Sequence, residues 1–243
     1  MMAGAMRSYL NRFAVAPGQR TAIFTTNDSG YALARDLEAA GVGLAAVIDS
    51  RADAAFAYTG KARLITGAVV SDARGGKALA GVNVTTANGA TEAIALDALA
   101  MSGGFSPIIH LACHRGGKPQ WSDAHGAFMA PSETRGLALA GAVAGTTGLS
   151  ASFAEGAVRG VVIAKELGFA PQAFGAGPVD GDIVAPPARP LWNIRGVKRK
   201  AFVDFQNDVG RKDLGLAVQE GYGDVELAKR YTTSGMATDQ GKL

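Results

Sequence analysis

An apolar run, a tight turn, a helical stretch and a second apolar run follow one another near the amino terminus. The first run, Thr21–Thr25, and the second, Leu44–Ile48, have the length and composition of buried strands, and Asp49 follows the second. Apolar residues at helical spacing predict a helix over Tyr31–Ala40, which Gly41 ends. Because a strand–helix–strand unit closes through a right-handed crossover, the sequence predicts an α/β fold with a parallel sheet.

The turn between the first strand and the helix bears on nucleotide binding. Compared with the G-x-G-x-x-G pattern of dinucleotide-binding folds, the segment Thr25–Gly30 keeps only Gly30. The missing glycines and the charge of Asp28 oppose a phosphate at the start of the helix. Asp49, 19 residues after Gly30, has the position of a residue that binds a ribose hydroxyl. A working nucleotide site and a purely structural Rossmann unit therefore both remain open.

Further strand and helix signals extend through the middle of the chain. Two β-rich runs, Leu64–Val70 and Lys77–Thr85, predict a hairpin, and Ile94–Met101 predicts a strand that enters a glycine turn. Another strand is predicted over Gly136–Ala140, before a glycine-rich loop, and a helix over Leu149–Leu167. Backbone amides of such a loop can hold a polar cofactor edge, or the loop can be only a tightly packed turn.

The single cysteine, Cys113, limits the metal and redox chemistry of this sequence. It excludes an intramolecular disulfide, a four-thiolate zinc site and an iron–sulfur cluster held by the chain's own cysteines. Strand alternation would place Cys113 and His114 on opposite faces, and His110 and His125 bring no third ligand at a recognised spacing. We therefore expect neither a metal site nor a catalytic cysteine–histidine pair.

Charge and hydropathy point away from nucleic acids and membranes. The net charge is +3, and the charges are spread along the chain except for a short basic run at 198–200. The uncharged stretch 136–154 carries too many glycine, serine and threonine residues for a membrane-spanning helix. The first residues show no signal-peptide pattern, so we expect a cytoplasmic protein.

The carboxyl-terminal part differs in composition from the rest. A proline-rich linker is predicted over Pro171–Pro190, followed by a short aromatic stretch, Ala201–Phe205. Two helices are predicted after it, over Lys212–Gln219 and Val225–Tyr231. These signals predict a small separate helical domain.

Several motifs together carry a family resemblance over essentially the whole chain. They are NDSGYALARDLEAAG at 27–41, SGGFSPIIHLACHRGGKPQW at 102–121, AGAVAGTTGLSASFAEGAVRG at 140–160, and AFVDFQNDVGRKDLGLAVQEGYGDVELAKRYTTSGMATDQGK at 201–242. The sequence resembles the α subunits of heterotetrameric sarcosine oxidases, of which it covers only the middle region.

The resemblance implies an incomplete Rossmann-like flavoprotein fold with two dinucleotide-binding domains. Residues 1–107 would be the second Rossmann-type unit with a β-hairpin, and 108–185 the return segment of the first dinucleotide-binding domain with the linker. Residues 186–243 would form a small helical domain like that of bacterioferritin-associated ferredoxins. In that type, cysteines near Val203–Phe205 and Asp239 hold a [2Fe–2S] cluster, and because this sequence has none there, no cluster is expected.

The resemblance also implies cofactors and a site. The family binds NAD in the α subunit, and matching of motifs points to Ala142, Thr147 and Leu149, with Gly141 as a neighbouring backbone contact. FAD lies in the β subunit and FMN at the α/β boundary, so no catalytic residue is expected in this chain. The implied partners are the β, γ and δ subunits.

The implied activity is that of a sarcosine oxidase, an oxidoreductase acting on CH–NH donors. It would demethylate sarcosine oxidatively to glycine, with hydrogen peroxide and methylene-tetrahydrofolate as further products. The isolated chain is expected to be inactive. Alternative interpretations are the α subunit of a related amine or proline dehydrogenase or of a cyanide-forming glycine oxidase, and a catalytically silent interaction module.

Overall fold

The computed structural model describes residues 1–54, 58–114, 116–131, 136–172, 175, 189–194, 196–197, 199–239 and 241. They divide into two compact units, Met1–Asn193 and Ile194–Leu243. The finer division at 107/108 and 185/186 stays a prediction. Most of the linker predicted over residues 171–190 lies outside the described residues.

The regular elements of the described residues can be given in chain order. The strands are β1 (Arg20–Thr25), β2 (Gly43–Asp49), β3 (Leu64–Thr66), β4 (Ala68–Gly75), β5 (Leu79–Thr86), β6 (Thr91–Ala95), β7 (Ala98–Ser102), β8 (Gln120–Ser122), β9 (Ala127–Met129), β10 (Phe202–Asp204) and β11 (Val209–Gly210). The helices are α1 (Ala3–Phe13), α2 (Ser29–Ala39), α3 (His110–Cys113), α4 (Leu149–Glu166), α5 (Arg211–Gln219) and α6 (Val225–Thr232), with a 3₁₀ turn at Gly141–Ala144.

A four-stranded parallel sheet forms the centre of the first unit. Its strand order is β3-β2-β1-β7, and α2 makes the crossover from β1 to β2. Helices α1 and α2 cover the sheet with apolar side chains, and the core includes Met6, Ile23, Tyr31, Leu37 and Val47. The strand–helix–strand unit predicted from the apolar pattern is confirmed.

Gly30 is the one glycine of the G-x-G-x-x-G pattern that this turn has, and the structure shows its role. A Cβ atom at this position would lie 2.6 Å from the Cβ of Thr25, so helix α2 could not approach β1 as closely. This is the helix–strand packing role of the third glycine in dinucleotide-binding folds. The turn thus keeps the glycine that serves packing and lacks the two that serve phosphate approach.

Two runs predicted as single strands are each divided between two sheets, so those predictions are wrong. Gly67, with φ +61°, separates β3 in the parallel sheet from β4 in an antiparallel sheet of order β4-β5-β6. Between β6 and β7, the Asp97 carboxylate accepts hydrogen bonds from the backbone N–H groups of Gln19 and Arg20. Continuous apolar patterning hides both breaks, because β-forming residues flank them on each side.

Two further predictions of strand structure are also wrong. Gly136 has φ +73° and Gly136–Ala140 forms no strand, although α4 begins at Leu149 as predicted. His110–Cys113 is a single helical turn, so Cys113 and His114 do not alternate across a strand. The described residues contain no group of three or more His, Cys, Asp or Glu side chains placed to hold a metal ion.

Helix α4 is an exposed element of the first unit. All of its residues are described, and none is buried. Phe153, Val158, Val162 and Ile163 each expose two fifths or more of their surface. Within the described part of the chain, no helix is both long and apolar enough to cross a membrane.

The second unit is small and has a thin core. Strands β10 and β11 pair antiparallel, and Val209, Ala217 and Ala228 are buried. The Asp213 carboxylate accepts a hydrogen bond from Gly210 N at the start of α5, and Asp224 accepts one from Glu226 N at the start of α6. Such contacts satisfy amides that a helix leaves unpaired at its first turn. Both predicted helices of this unit are confirmed.

Candidate functional site

The carboxyl ends of the parallel strands form the edge where doubly wound folds bind their ligands. The turn after β1, the residues after β2 and the end of β7 meet at this edge. Helix α2 begins there as well, and its first turn would face a bound nucleotide in a Rossmann fold. The polar residues at this edge therefore decide whether a nucleotide could bind.

Arg51 joins two aspartates at this edge. Its Nη2 lies 2.6 Å from Asp28 Oδ1 and 2.8 Å from Asp49 Oδ2, and its Nε lies 3.1 Å from Asp49 Oδ1. The Arg51 side chain is 5% exposed, so both ion pairs are shielded from water. Hydrogen bonds to Asp49 and Asp28 raise the pKa of Arg51, and the guanidinium remains charged.

Tyr31 adds a neutral donor to the same group. Its hydroxyl donates a 2.7 Å hydrogen bond to Asp49 Oδ2, and burial together with this bond raises its pKa. Asp49 also accepts a bond from Arg51 N at 2.9 Å. Tyr31, Arg51, Asp28 and Asp49 are called the Arg51 cluster below. The prediction that Asp49 suits a ribose hydroxyl is not supported, because this carboxylate is fully buried and already accepts four bonds.

A second polar network replaces the missing glycines. Asn27 Nδ2 donates to Ser102 O at 3.0 Å, and Asn27 Oδ1 accepts from Ser29 N at 3.0 Å. The hydroxyls of Ser29 and Ser102 lie 2.6 Å apart. Asn27 thus ties the first turn of α2 to the end of β7 with side-chain bonds.

The glycine-rich loop before α4 is the other candidate site. Gly141 is buried, and its N–H donates to Glu155 Oε2 at 2.8 Å. Hydrogen bonds from the Thr146 side chain and then from Gly141 N lower the pKa of Glu155. Ala142, Thr147 and Leu149 are exposed. A carboxylate of the chain therefore already occupies one backbone amide of this loop, and an anionic ligand group would have to compete with it.

The β8–β9 hairpin packs behind this loop. A Cβ atom on Gly145 would lie 2.8 Å from Met129 Cε and 2.9 Å from His125 Nε2. Ser122 Oγ lies 2.9 Å from His125 Nδ1, which orients the ring. Gly145 is required for this close approach, so part of the glycine content of the loop serves packing.

Asp204 organises two loops of the second unit. Its carboxylate accepts hydrogen bonds from the backbone N–H groups of Gln206 at 2.9 Å, Asn207 at 3.0 Å and Gly235 at 2.7 Å. The Asn207 and Gly235 amides are the main cause of the lowered pKa of Asp204. Gln206 Oε1 also accepts from Asp239 N at 3.1 Å. Asp204, at one of the positions where the family resemblance implies cluster cysteines, is thus bonded to Gly235, and Asp239, at another, is bonded to Gln206.

Several residues of these sites were not found by sequence reasoning. Arg51 carries a weak signal, since it follows Asp49 by two residues, but its second partner Asp28 is 23 residues away. Glu155 follows Leu149 within the α4 pattern and gives no sign that it reaches back to Gly141. Asp204 stands among apolar residues of the short aromatic stretch Ala201–Phe205, which is itself an unusual position for a charge.

Comparison with known proteins gives consistent matches. Residues 198–243 match a family model described as the Sarcosine oxidase A3 domain. A sarcosine oxidase subunit alpha of Rhizobium meliloti (strain 1021) is 60% identical to this chain over all 243 residues, and the aligned region makes up 24% of that subunit. It is 37% identical, over 265 aligned residues, to 27% of the corresponding subunit of Corynebacterium sp. (strain U-96). The chain thus spans about a quarter of the length of these curated relatives.

A solved structure supports the fold alone. The L-proline dehydrogenase of P. horikoshii superposes with a TM-score of 0.69 at 19% identity, covering 98% of this chain and 44% of that one. The α/β fold with a parallel sheet is therefore one found in a known oxidoreductase. The resemblance to a segment of the sarcosine oxidase alpha subunit, predicted from the motifs, is confirmed over the full length of the chain.

Proposed function

We propose that this chain acts as part of the alpha subunit of a sarcosine oxidase and supports the oxidative demethylation of sarcosine. The 60% identity over all 243 residues to the Rhizobium meliloti subunit carries this proposal. Sarcosine would be oxidised by O₂, which is reduced to hydrogen peroxide, to give glycine and a one-carbon unit that tetrahydrofolate captures as methylene-tetrahydrofolate. The location would be the cytoplasm.

The polar groups of the described residues favour a supporting role over a catalytic one. In the Arg51 cluster and around Asp204, the carboxylates bind donors of the chain itself. A general base or acid must instead reach a proton of the substrate. The family resemblance implies where the chemistry would take place: amine oxidation on FAD of a β subunit, with FMN at the α/β boundary, and with γ and δ subunits completing the assembly.

The exposed apolar residues of α4 support incorporation into a larger structure. Phe153, Val158 and Val162 expose apolar surface along this helix, and Leu167 exposes 70% of its surface just beyond it. These side chains are spread around the helix, and a large amount of exposed apolar surface is typical of interfaces. We expect it to be covered by a part of the subunit outside these 243 residues.

NAD is the cofactor proposed for this chain, at the loop before α4. The exposed residues Ala142, Thr147 and Leu149 would contact it, with Gly141 as a neighbouring backbone residue. The Glu155 carboxylate on Gly141 N fits an uncharged part of the dinucleotide better than its pyrophosphate. These residues would bind and orient the cofactor, whose nicotinamide ring can accept or donate a hydride.

Reconstitution tests the proposed function. The full polypeptide that carries these residues is produced alone and together with its partner subunits, and flavin absorbance and sarcosine-dependent oxygen uptake are measured. We expect flavin and turnover only in the assembly. Sarcosine turnover by these 243 residues alone, or an assembly with bound flavin that leaves sarcosine unchanged, would contradict the proposal.

A further inference from the structure

The edge formed by the carboxyl ends of β1 and β2 is where the Rossmann fold implies a dinucleotide. We infer that this crevice is filled by the Arg51 cluster and takes no dinucleotide, so that the unit serves as a scaffold. The inference rests on the geometry of the crevice, and it restricts the NAD binding proposed above to the loop at 141–149.

The acceptor capacity of Asp49 is used within the chain. A carboxylate offers about four lone-pair positions. Tyr31 Oη and the N, Nε and Nη2 atoms of Arg51 provide four donors to Asp49, at 2.7 to 3.1 Å. A ribose hydroxyl would have to displace a buried ion pair to reach this side chain. Asp49 therefore has the sequence position of a ribose-binding residue, but its carboxylate has no acceptor position left for a ribose hydroxyl.

The start of α2 opposes a phosphate. Asp28, the residue before the helix, directs its carboxylate to Arg51, and two carboxylates with one guanidinium leave one net negative charge. Nearby amides already have acceptors, because Asn27 N donates to Thr25 Oγ1 and Ser29 N to Asn27 Oδ1. A pyrophosphate would thus meet a carboxylate where a dinucleotide-binding turn presents free N–H groups.

Contacts further along the chain lie beside the same edge. Arg189 N donates to Thr26 O at 3.1 Å, and the Arg189 guanidinium pairs with both carboxylate oxygens of Asp53. Asp49 and Arg51 are buried by residues of this chain alone. Any further part of a longer polypeptide or a partner subunit can only add to this burial. The filled crevice is therefore a property of the chain itself.

Photoaffinity labelling locates any bound dinucleotide directly. The full polypeptide that carries these residues is treated with NAD⁺ bearing an azido group on the adenine, irradiated and digested, and labelled peptides are identified by mass spectrometry. We expect no label on residues 20–53. Label on this segment that excess NAD⁺ suppresses would overturn the inference, and this result does not depend on whether any variant folds.

Titration of variants separates the two sites. Asp49→Asn should leave the NAD⁺ dissociation constant within twofold of the unchanged protein, with Glu92→Gln, which alters an exposed ion pair, as the matched control. Thr147→Trp should weaken binding at least tenfold. A tenfold loss in Asp49→Asn with no change in Thr147→Trp would refute the filled crevice. Absence of NAD⁺ binding altogether would refute the loop proposal while agreeing with the filled crevice.

Discussion

Two buried aspartates, one in each unit, are stabilised by opposite means. Asp49 is bound by the charged Arg51 and the neutral Tyr31, and a second carboxylate, Asp28, shares the same arginine. Asp204 instead accepts backbone N–H groups, including that of Gly235, 31 residues away. The first arrangement fixes side chains at the edge of a sheet, and the second joins two loops.

This difference indicates how the stability of each unit depends on its buried carboxylate. Removal of Arg51 would leave two buried charges without a cation, which a low-dielectric environment strongly disfavours. Removal of the Asp204 charge would leave amides that a neutral acceptor or water could still satisfy. We therefore expect the first unit to be sensitive to charge and the second to be sensitive to loop geometry.

The largest effect is expected from Arg51→Met. The free energy of unfolding of the first unit should fall by about 3–5 kcal/mol, because both Asp28 and Asp49 lose their buried partner. Chemical denaturation monitored by circular dichroism measures the change. The matched control is Arg63→Met, whose exposed pair with Glu92 should contribute about 0–1 kcal/mol. Equal losses in the two variants would show that the cluster is not a stabilising ion-pair group.

A smaller and more local effect is expected from Asp204→Asn. The amides of Gln206, Asn207 and Gly235 should exchange with deuterium faster, because their common acceptor loses its charge. Hydrogen-exchange mass spectrometry measures this. Asp208→Asn, which alters the exposed pair with Lys200, is the control and should leave these amides protected. Unchanged exchange in Asp204→Asn would show that the loops hold together without the carboxylate.

Acid should affect the second unit through Asp204. Because its folded-state pKa is lowered, its contribution to stability is complete above the ordinary aspartate pKa of about 4. The contribution is lost as the pH falls from there through the lowered folded pKa. Thermal unfolding followed between pH 6 and pH 2 should show a loss for the unchanged protein that is reduced in Asp204→Asn. Parallel curves for the two proteins would contradict this assignment.

Alkali should affect the first unit through Tyr31, with the smallest effect. Its pKa is raised by burial and by Asp49, so its contribution to stability is complete below about pH 10 and is lost above it. Titration of tyrosinate absorbance should show a group that ionises later than an ordinary tyrosine, and Tyr31→Phe should remove it. The pKa of Tyr58 is also raised, to about 12, so Tyr58→Phe serves as the control. Loss of the same late phase in the control alone would assign it to Tyr58.

Much of the fold follows from local patterns. The strands β1 and β2 and the helices α2, α4, α5 and α6 were predicted close to their bounds, because apolar periodicity and glycine stops are properties of neighbouring residues. The division of the apolar runs at Gly67 and at Leu96–Asp97 was missed. Both breaks depend on contacts with distant segments, such as Asp97 with Gln19 and Arg20.

The candidate site was less accessible from sequence. The weak phosphate turn could be recognised from missing glycines, and Asp28 from its charge near a helix start. The hydrogen bonds from Arg51 and Tyr31 to the Asp49 carboxylate could not be recognised from the sequence. They depend on the register of β1 against β2 and on the direction of α2. The reach of Glu155 to Gly141 likewise depends on the 3₁₀ turn, Gly141–Ala144, within the loop before α4.

Gly67, described above as the break between two strands, also joins two parts of the first unit mechanically. Its N–H donates to Arg51 O at 3.1 Å, and its carbonyl accepts from Ala87 N at 3.0 Å, just after β5. A single glycine therefore connects the antiparallel sheet to the main chain of the Arg51 cluster. A displacement of that sheet, for example when another subunit docks on it, would be transmitted to the main chain of Arg51 through these two hydrogen bonds.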